Sequence, residues 1–211
     1  MTQATVIGDV VGSRKEASRA TLHARLTTVL ERVNAELDPT TPLRVTVGDE
    51  YQGCFASVGA AVAATLRLRL WLAPEVEVRH GIGWGAVEVL EESPRVEDGP
   101  GWWAARAAIE TVSRYEADPS LRRLRTAYER ASGVADGADP AMVNAALMTR
   151  DELLAGLAPA SLSVLDGMLR DMSQRDLAHD LGVSPSAVSQ RIRRDGLAVL
   201  AEADRRLGAV R

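Results

Sequence analysis

Residues 43–57, LRVTVGDEYQGCFAS, alternate apolar and polar side chains, break at Gly48-Asp49 and then resume the alternation. A period of two on both sides of a Gly-Asp step predicts a β-hairpin. Its tip presents two adjacent acids, Asp49 and Glu50, with no basic residue beside them in sequence. Upstream, TVIGDVVG at 5–12 reads as a short buried strand that ends in a third acid, Asp9. Between the two, Ala20, Leu22, Leu26, Val29, Leu30, Val33 and Leu37 recur at three and four, so 16–37 is an amphipathic helix, stopped by DPTTP at 38–42. Downstream, 58–72 returns to helical character and Pro74 closes it. Residues 76–91 alternate again, and Gly81, Gly83 and Gly85 imply a close backbone approach or a bulge. SPRVEDGPG at 93–101 reads as a loop, WWAARAAIETVSRY from 102 as a helix, and the stretch from about 120 to 131 as a further helix. Strand, helix, strand, strand, helix, strand, with room for one more strand before the last helix, predicts an α/β sandwich of ferredoxin-like type with its helices on one sheet face.

GVADGADP at 133–140 has the composition of a linker, and the sequence beyond it is wholly helical. The expected division is a head over 1–135 and an all-α tail over 145–211, with the boundary inside 133–145. Within the tail, MSQRDLAHDLGVSPSAVSQRIRR at 172–194 is the best-patterned stretch. Ser173 caps one helix, whose buried side carries Leu177, Ala178 and Leu181, and Gly182 supplies a positive-φ turn. Ser184 caps the next helix, with Pro185 at its first position and Val188 and Ile192 anchoring it from behind. Its outer face carries Ser186, Ala187, Ser189, Gln190, Arg191, Arg193 and Arg194. Short polar groups and Gln or Arg forks suit base edges, and arginines suit phosphates, so Ser184, Ser186, Ala187, Gln190, Arg191, Arg193 and Arg194 are the candidate contacts to double-stranded DNA. The segment resembles the helix-turn-helix of MarR-like and sigma-region-4-like regulators. That resemblance makes 159–170 a supporting helix and 196–207 a trailing one, and implies a homodimer on two half-sites.

Composition sets outer bounds. With 211 residues, 46% hydrophobic and 26% charged, the chain is of ordinary globular type. No apolar run approaches the ~18–20 residues that cross a bilayer, so no membrane partner is expected. The start MTQATVIGDVV lacks a basic segment and a cleavage-like site, and the single cysteine, Cys54, forms no internal disulfide, so a cytoplasmic location is expected. The net charge of −4 excludes blanket attraction to nucleic acid and leaves room for one local basic face. Cys54 and His80 read as buried structural residues.

Asp9 and Asp49 end adjacent strands in the expected sheet, so both reach one end of it. Two carboxylates beside backbone amides at a helix N-terminus, including Gly12 and Ser13, suit a divalent cation and a phosphate chain. IGDVVGSR, TVGDEYQG and RHGIGWGAVEVLE resemble the metal motifs and following strand of class III nucleotide cyclases, and GPGWWAARAAIE resembles their transition-state helix. The resemblance covers roughly residues 4–115. With the helical tail, the whole chain resembles the SatD family. The resemblance implies metal ligation of Mg2+ (or Mn2+) by Asp9, Asp49 and the Val10 carbonyl. It implies a purine nucleotide or related phosphorylated ligand at Val11, Gly12, Ser13, Arg14, Trp102 and Arg106, with Arg106 catalytic if the enzyme is active. Trp102 stands where cyclases carry an asparagine, and an indole has one donor and no acceptor. Val45 stands where adenine-specific cyclases carry a base-reading lysine. The expected function is therefore a DNA-binding transcriptional regulator with a nucleotide-binding head. The alternatives are an active cyclase tethered to DNA and a catalytically dead dimerisation scaffold.

Overall fold

The computed structural model describes residues 1–12, 18–93 and 95–211. The hairpin forms as read: β2 (Thr41–Val47) turns through Gly48-Asp49, with Gly48 at φ 65°, into β3 (Glu50–Phe55). β1 (Thr2–Val10) lies antiparallel to β3 on one side and to β4 (Val78–Ala86) on the other. With α1 (Arg19–Leu37) and α2 (Val58–Leu72), the first six elements give the strand order β2-β3-β1-β4, the split βαβ arrangement expected of a ferredoxin-like sheet.

Three features differ from the sequence reading. Residues 126–130 are a strand, β7 (Thr126–Arg130), which pairs parallel with the free edge of β4. Residues 95–98 are also a strand, β6 (Arg95–Asp98), paired with β5 (Glu88–Glu92) in a separate two-stranded arm. The helices cover both faces of the sheet. Along β1, Ala4, Val6 and Val10 share the main core with α1 and α2, while Ile7 packs with Trp102, Ala105 and Ile109 of α3 (Pro100–Glu116) on the other face. Both alternate sets of β1 are thus buried, and a sheet buried on both sides needs a layer on each. Gly81 and Gly83 make the second layer possible: a Cβ at these positions would lie 2.2 Å from the carbonyl oxygens of Ala105 and Gly101.

The tail comprises α4 (Pro140–Ala155), α5 (Pro159–Leu169), α6 (Gln174–Asp180), α7 (Pro185–Arg194) and α8 (Leu197–Gly208). It begins at Pro140, capped by Asp139 and so inside the stretch read as a boundary. Val143 and Leu147 of α4 join the main core. Leu66 and Leu70 of α2 join a second core with Leu154, Val164, Leu165, Leu177, Ala178, Val188, Leu197 and Leu200. The seam also holds buried charge. Asp151, wholly buried, takes the Arg69 guanidinium and the Arg125 amide (2.7 Å), and Arg150 donates to the Val62 carbonyl (3.3 Å) and Thr126 Oγ1 (3.0 Å). No helix among the described residues is long and apolar enough to cross a membrane.

Candidate functional site

The two strand-end acids do come to one end of the sheet. Asp49 Oδ2 accepts the amide of Val10 (3.2 Å), the residue after Asp9. Asp9, however, already has a partner that the sequence reading did not foresee. Asp9 stands opposite Arg79 in the β1–β4 register, and the Arg79 guanidinium takes both of its carboxylate oxygens, Nε to Oδ1 at 2.6 Å and Nη2 to Oδ2 at 3.0 Å. Nη1 of the same side chain reaches Glu116 Oε2 of α3 at 2.7 Å. The Asp9 hydrogen bond is the main reason that the Arg79 pKa is raised, with Asp9, Glu116 and Asp49 adding negative field against the cost of burial. Beneath this end, Tyr51 crosses Gly8 so closely that a Cβ there would lie 2.4 Å from the phenol ring, and its hydroxyl shares a 2.7 Å hydrogen bond with His80 Nε2. Both are fully buried. Burial first, then Asp9, pushes the Tyr51 hydroxyl well up, while burial and the charges of Arg69 and Arg150 push His80 well down, so His80 is a neutral structural residue as expected. Cys54 is buried too, its thiol pushed up to about 12 by burial and by Glu97.

The nucleotide-binding candidates are placed as follows. The Val11 amide already donates to the Glu77 carbonyl at 2.8 Å, and Gly12 turns the chain at φ 71°. Ser13 and Arg14 lie outside the described residues. Trp102 is buried in the α3 layer and offers no face for a base; the exposed indole is Trp103, whose Nε1 donates to Asp98 at 3.0 Å. Trp102 is drawn inward because it falls on the same helix face as Ala105 and Ile109, at three-and-four spacing. Arg106 is half-exposed and closes on Glu50 in a two-pronged pair, both contacts at 2.9 Å. A cleft of about 330 Å3 opens between the start of α1 and the hairpin turn, lined by Arg19, Leu22, His23, Leu26, Gly48 and Asp49.

For a divalent ion shared by Asp9 and Asp49, the fit fails at Asp9. Both of its oxygens are engaged by a guanidinium that is itself anchored on Glu116, and a cation placed there would face that positive charge at close range. Among the described residues no group of three His, Cys, Asp or Glu side chains is gathered as a metal cage.

The second candidate surface is α6 and α7. Ser173 Oγ accepts the Asp176 amide and Ser184 Oγ the Ala187 amide, each at 3.2 Å, and Gly182 turns at φ 63° between the helices. Leu177, Ala178 and Val188 are buried beneath. Ser186, Gln190 and Arg193 are exposed and, at i, i+4 and i+7, form one outward stripe. Ala187 is half-buried. The other two arginines are paired within the protein, Arg194 while remaining exposed. Arg191 donates to Ser161 Oγ of α5 (3.1 Å), Ser161 donates to Asp195 (2.5 Å), and Arg194 closes on Asp195 through Nε (2.6 Å) and Nη2 (3.0 Å). The Arg194 and Ser161 hydrogen bonds hold the Asp195 carboxyl down to about 2. Asp195 was visible in the sequence as the first acid after the basic run; its pairing with Arg194, and its link to Arg191 through Ser161, were not.

Comparison with solved structures finds likenesses to nucleotide cyclases. A bacterial light-regulated adenylyl cyclase superposes with a TM-score of 0.46 at 11% identity, over 61% of this chain and 43% of that one, so the chain spans less than half of its length. The guanylyl cyclase domain of the RhoGC fusion protein from the aquatic fungus Blastocladiella emersonii gives 0.45 at 13% identity, over 52% of this chain and 75% of that one. The adenylyl cyclase CyaB from P. aeruginosa gives 0.41 at 16% identity, over 56% and 81%. Likeness at this level says nothing of chemistry. Sequence comparison with curated proteins gives no match. The family model of SatD runs through head and tail alike, from residue 3 in the first strand to residue 206 in the last helix, and the chain belongs to the SatD family.

Proposed function

We propose that the chain is a DNA-binding regulator in which α6 and α7 act as a helix-turn-helix. The observation that carries this reading is the outward stripe Ser186, Gln190 and Arg193 on a helix whose opposite side is fixed by buried Val188. Gln190 is the base-reading fork and Arg193 a phosphate contact. Arg191, held by Ser161, positions α7 against α5. The head is the regulatory and dimerising body. A purine nucleotide or related phosphorylated ligand would enter the cleft beside the Gly48-Asp49 turn, where Arg19 and His23, one turn apart on α1, supply cationic and hydrogen-bonding groups. Such a ligand would act by binding one spacing of paired α7 helices better than another. The engaged Arg106 and the buried Trp102 favour this reading over an active cyclase.

The test is selection from a random duplex pool, followed by anisotropy titrations on a selected and a shuffled duplex. Gln190→Ala is expected to cost about 1–3 kcal/mol on the selected duplex and little on the shuffled one, whereas Arg193→Ala weakens both and lowers the salt slope by about 1. Failure of the wild-type chain to enrich any sequence, with no binding to either duplex at low salt, overturns the proposal.

A further inference from the structure

Arg79 takes up the Asp9 carboxylate that a cation shared with Asp49 would need, and three features keep it there. The β1–β4 register sets it directly across from Asp9. Both prongs facing Asp9 are within hydrogen-bonding distance, at 2.6 and 3.0 Å, the geometry that suits a planar fork on a carboxylate. Its third nitrogen is tied to Glu116 of α3 at 2.7 Å, so the guanidinium is fixed from the opposite layer as well. The Asp9, Arg79 and Glu116 side chains are 23%, 22% and 28% exposed, which leaves the pairs only partly screened by water.

We infer that Arg79 is a resident cation that replaces a divalent ion at the Asp9–Asp49 end of the sheet, so that the head is metal-independent and a neutral residue at position 79 opens a cation site. Arg79 satisfies Asp9 without any exchangeable partner. A doubly charged ion at the same end would have to displace the fork from Asp9 and remain beside its charge. With the fork removed, Asp9 regains both oxygens beside Asp49, whose Oδ2 takes the Val10 amide, and two carboxylates are the number that Mg2+ or Mn2+ takes together with water. The inference stands apart from the DNA reading and either can fail alone.

The probe is MnCl2 with no nucleotide, titrated into the full chain and followed by calorimetry and by loss of the free-ion electron paramagnetic resonance signal. The wild type is expected to show no saturable binding up to millimolar concentrations. Arg79→Gln is expected to bind at least tenfold more tightly, Arg79→Lys to behave as wild type, and Arg79→Gln with Asp49→Asn to lose the gain. Saturable wild-type binding equal to that of Arg79→Gln, no gain in a folded Arg79→Gln, or a gain that survives Asp49→Asn overturns the inference. A second measurement needs no change at position 79: millimolar Mn2+ leaves the wild-type Tm unmoved, whereas a rise in Tm that Asp49→Asn abolishes overturns the inference equally.

Discussion

Substituting Gly83 by alanine tests whether α3 sits on β4 as closely as described. An added Cβ would lie 2.2 Å from the Gly101 carbonyl oxygen, 2.4 Å from the Ala105 nitrogen and 2.8 Å from Thr5 Oγ1. An ordinary Cβ contact is 3.4 Å or more, so α3 must retreat by about 1 Å. Two of the three obstructing atoms are backbone and have no rotamer to change. The third, Thr5 Oγ1, bonds the seam, donating to the carbonyls of Gly101 (2.8 Å) and Gly83 (3.2 Å). Overpacking of this kind costs about 1–3 kcal/mol and a disturbed buried hydrogen bond about 1 more, giving about 2–4 kcal/mol in all. For a chain of this size that is a Tm lower by roughly 5–15 °C. Urea unfolding and thermal melting by circular dichroism measure it, with Gly156→Ala as the control. Gly156 has helical dihedrals (φ −85°, ψ −8°), and its nearest obstruction is a carbonyl at 3.5 Å, so Gly156→Ala should stay within about 0.5 kcal/mol of wild type. A Gly83→Ala protein as stable as the control would refute the close seating of α3.

Two further outcomes are expected. Asp151→Ala strips Arg69, Arg150 and the Arg125 amide of their shared buried acceptor and should cost about 3–5 kcal/mol in urea; a loss below about 1 kcal/mol would show that water replaces the carboxylate. His80, whose folded pKa is depressed below its unfolded value of about 6.5, contributes stability that is complete above that pH and declines as pH falls below it, because the unfolded chain then binds the extra proton. Stability should therefore fall between pH 7 and pH 5 with a limiting slope of about 1.4 kcal/mol per pH unit, and His80→Gln should flatten that limb; an unchanged slope in the variant assigns the acid sensitivity elsewhere.

The elements that declare themselves locally were legible in the chain. The hairpin, α1 and α2 carry their periods and stops, and Ser173, Gly182, Ser184 and Pro185 punctuate α6 and α7 with caps and a turn that depend on no distant partner. What was misread depends on remote contacts. In LRRLRTAYERA at 121–131, Leu121, Leu124, Ala127, Tyr128 and Ala131 recur at helical spacing, and the segment is a strand because β4 offers an unpaired edge from His80 to Trp84. β5 is exposed throughout, and the inward side chains of β6, Arg95 and Glu97, are charged, so no apolar alternation marks the arm. The Asp9–Arg79 pair spans 70 positions and is fixed by strand register, which strand assignment alone does not supply. Arg106 and the hairpin-tip acid Glu50 were both visible in the sequence, but not their pairing, which spans 56 positions.

Because α2 gives Val58, Ala61 and Val62 to one core and Leu66 and Leu70 to the other, it is a common keel for the sheet and the tail. A chain severed between β7 and α4 would not yield two finished bodies. The sheet piece would carry a bare strip of leucines, and the helical piece would lose the floor that Leu154, Leu165 and Leu200 rest on. Any tilt of α2 reaches α5 and α8 through direct side-chain contact.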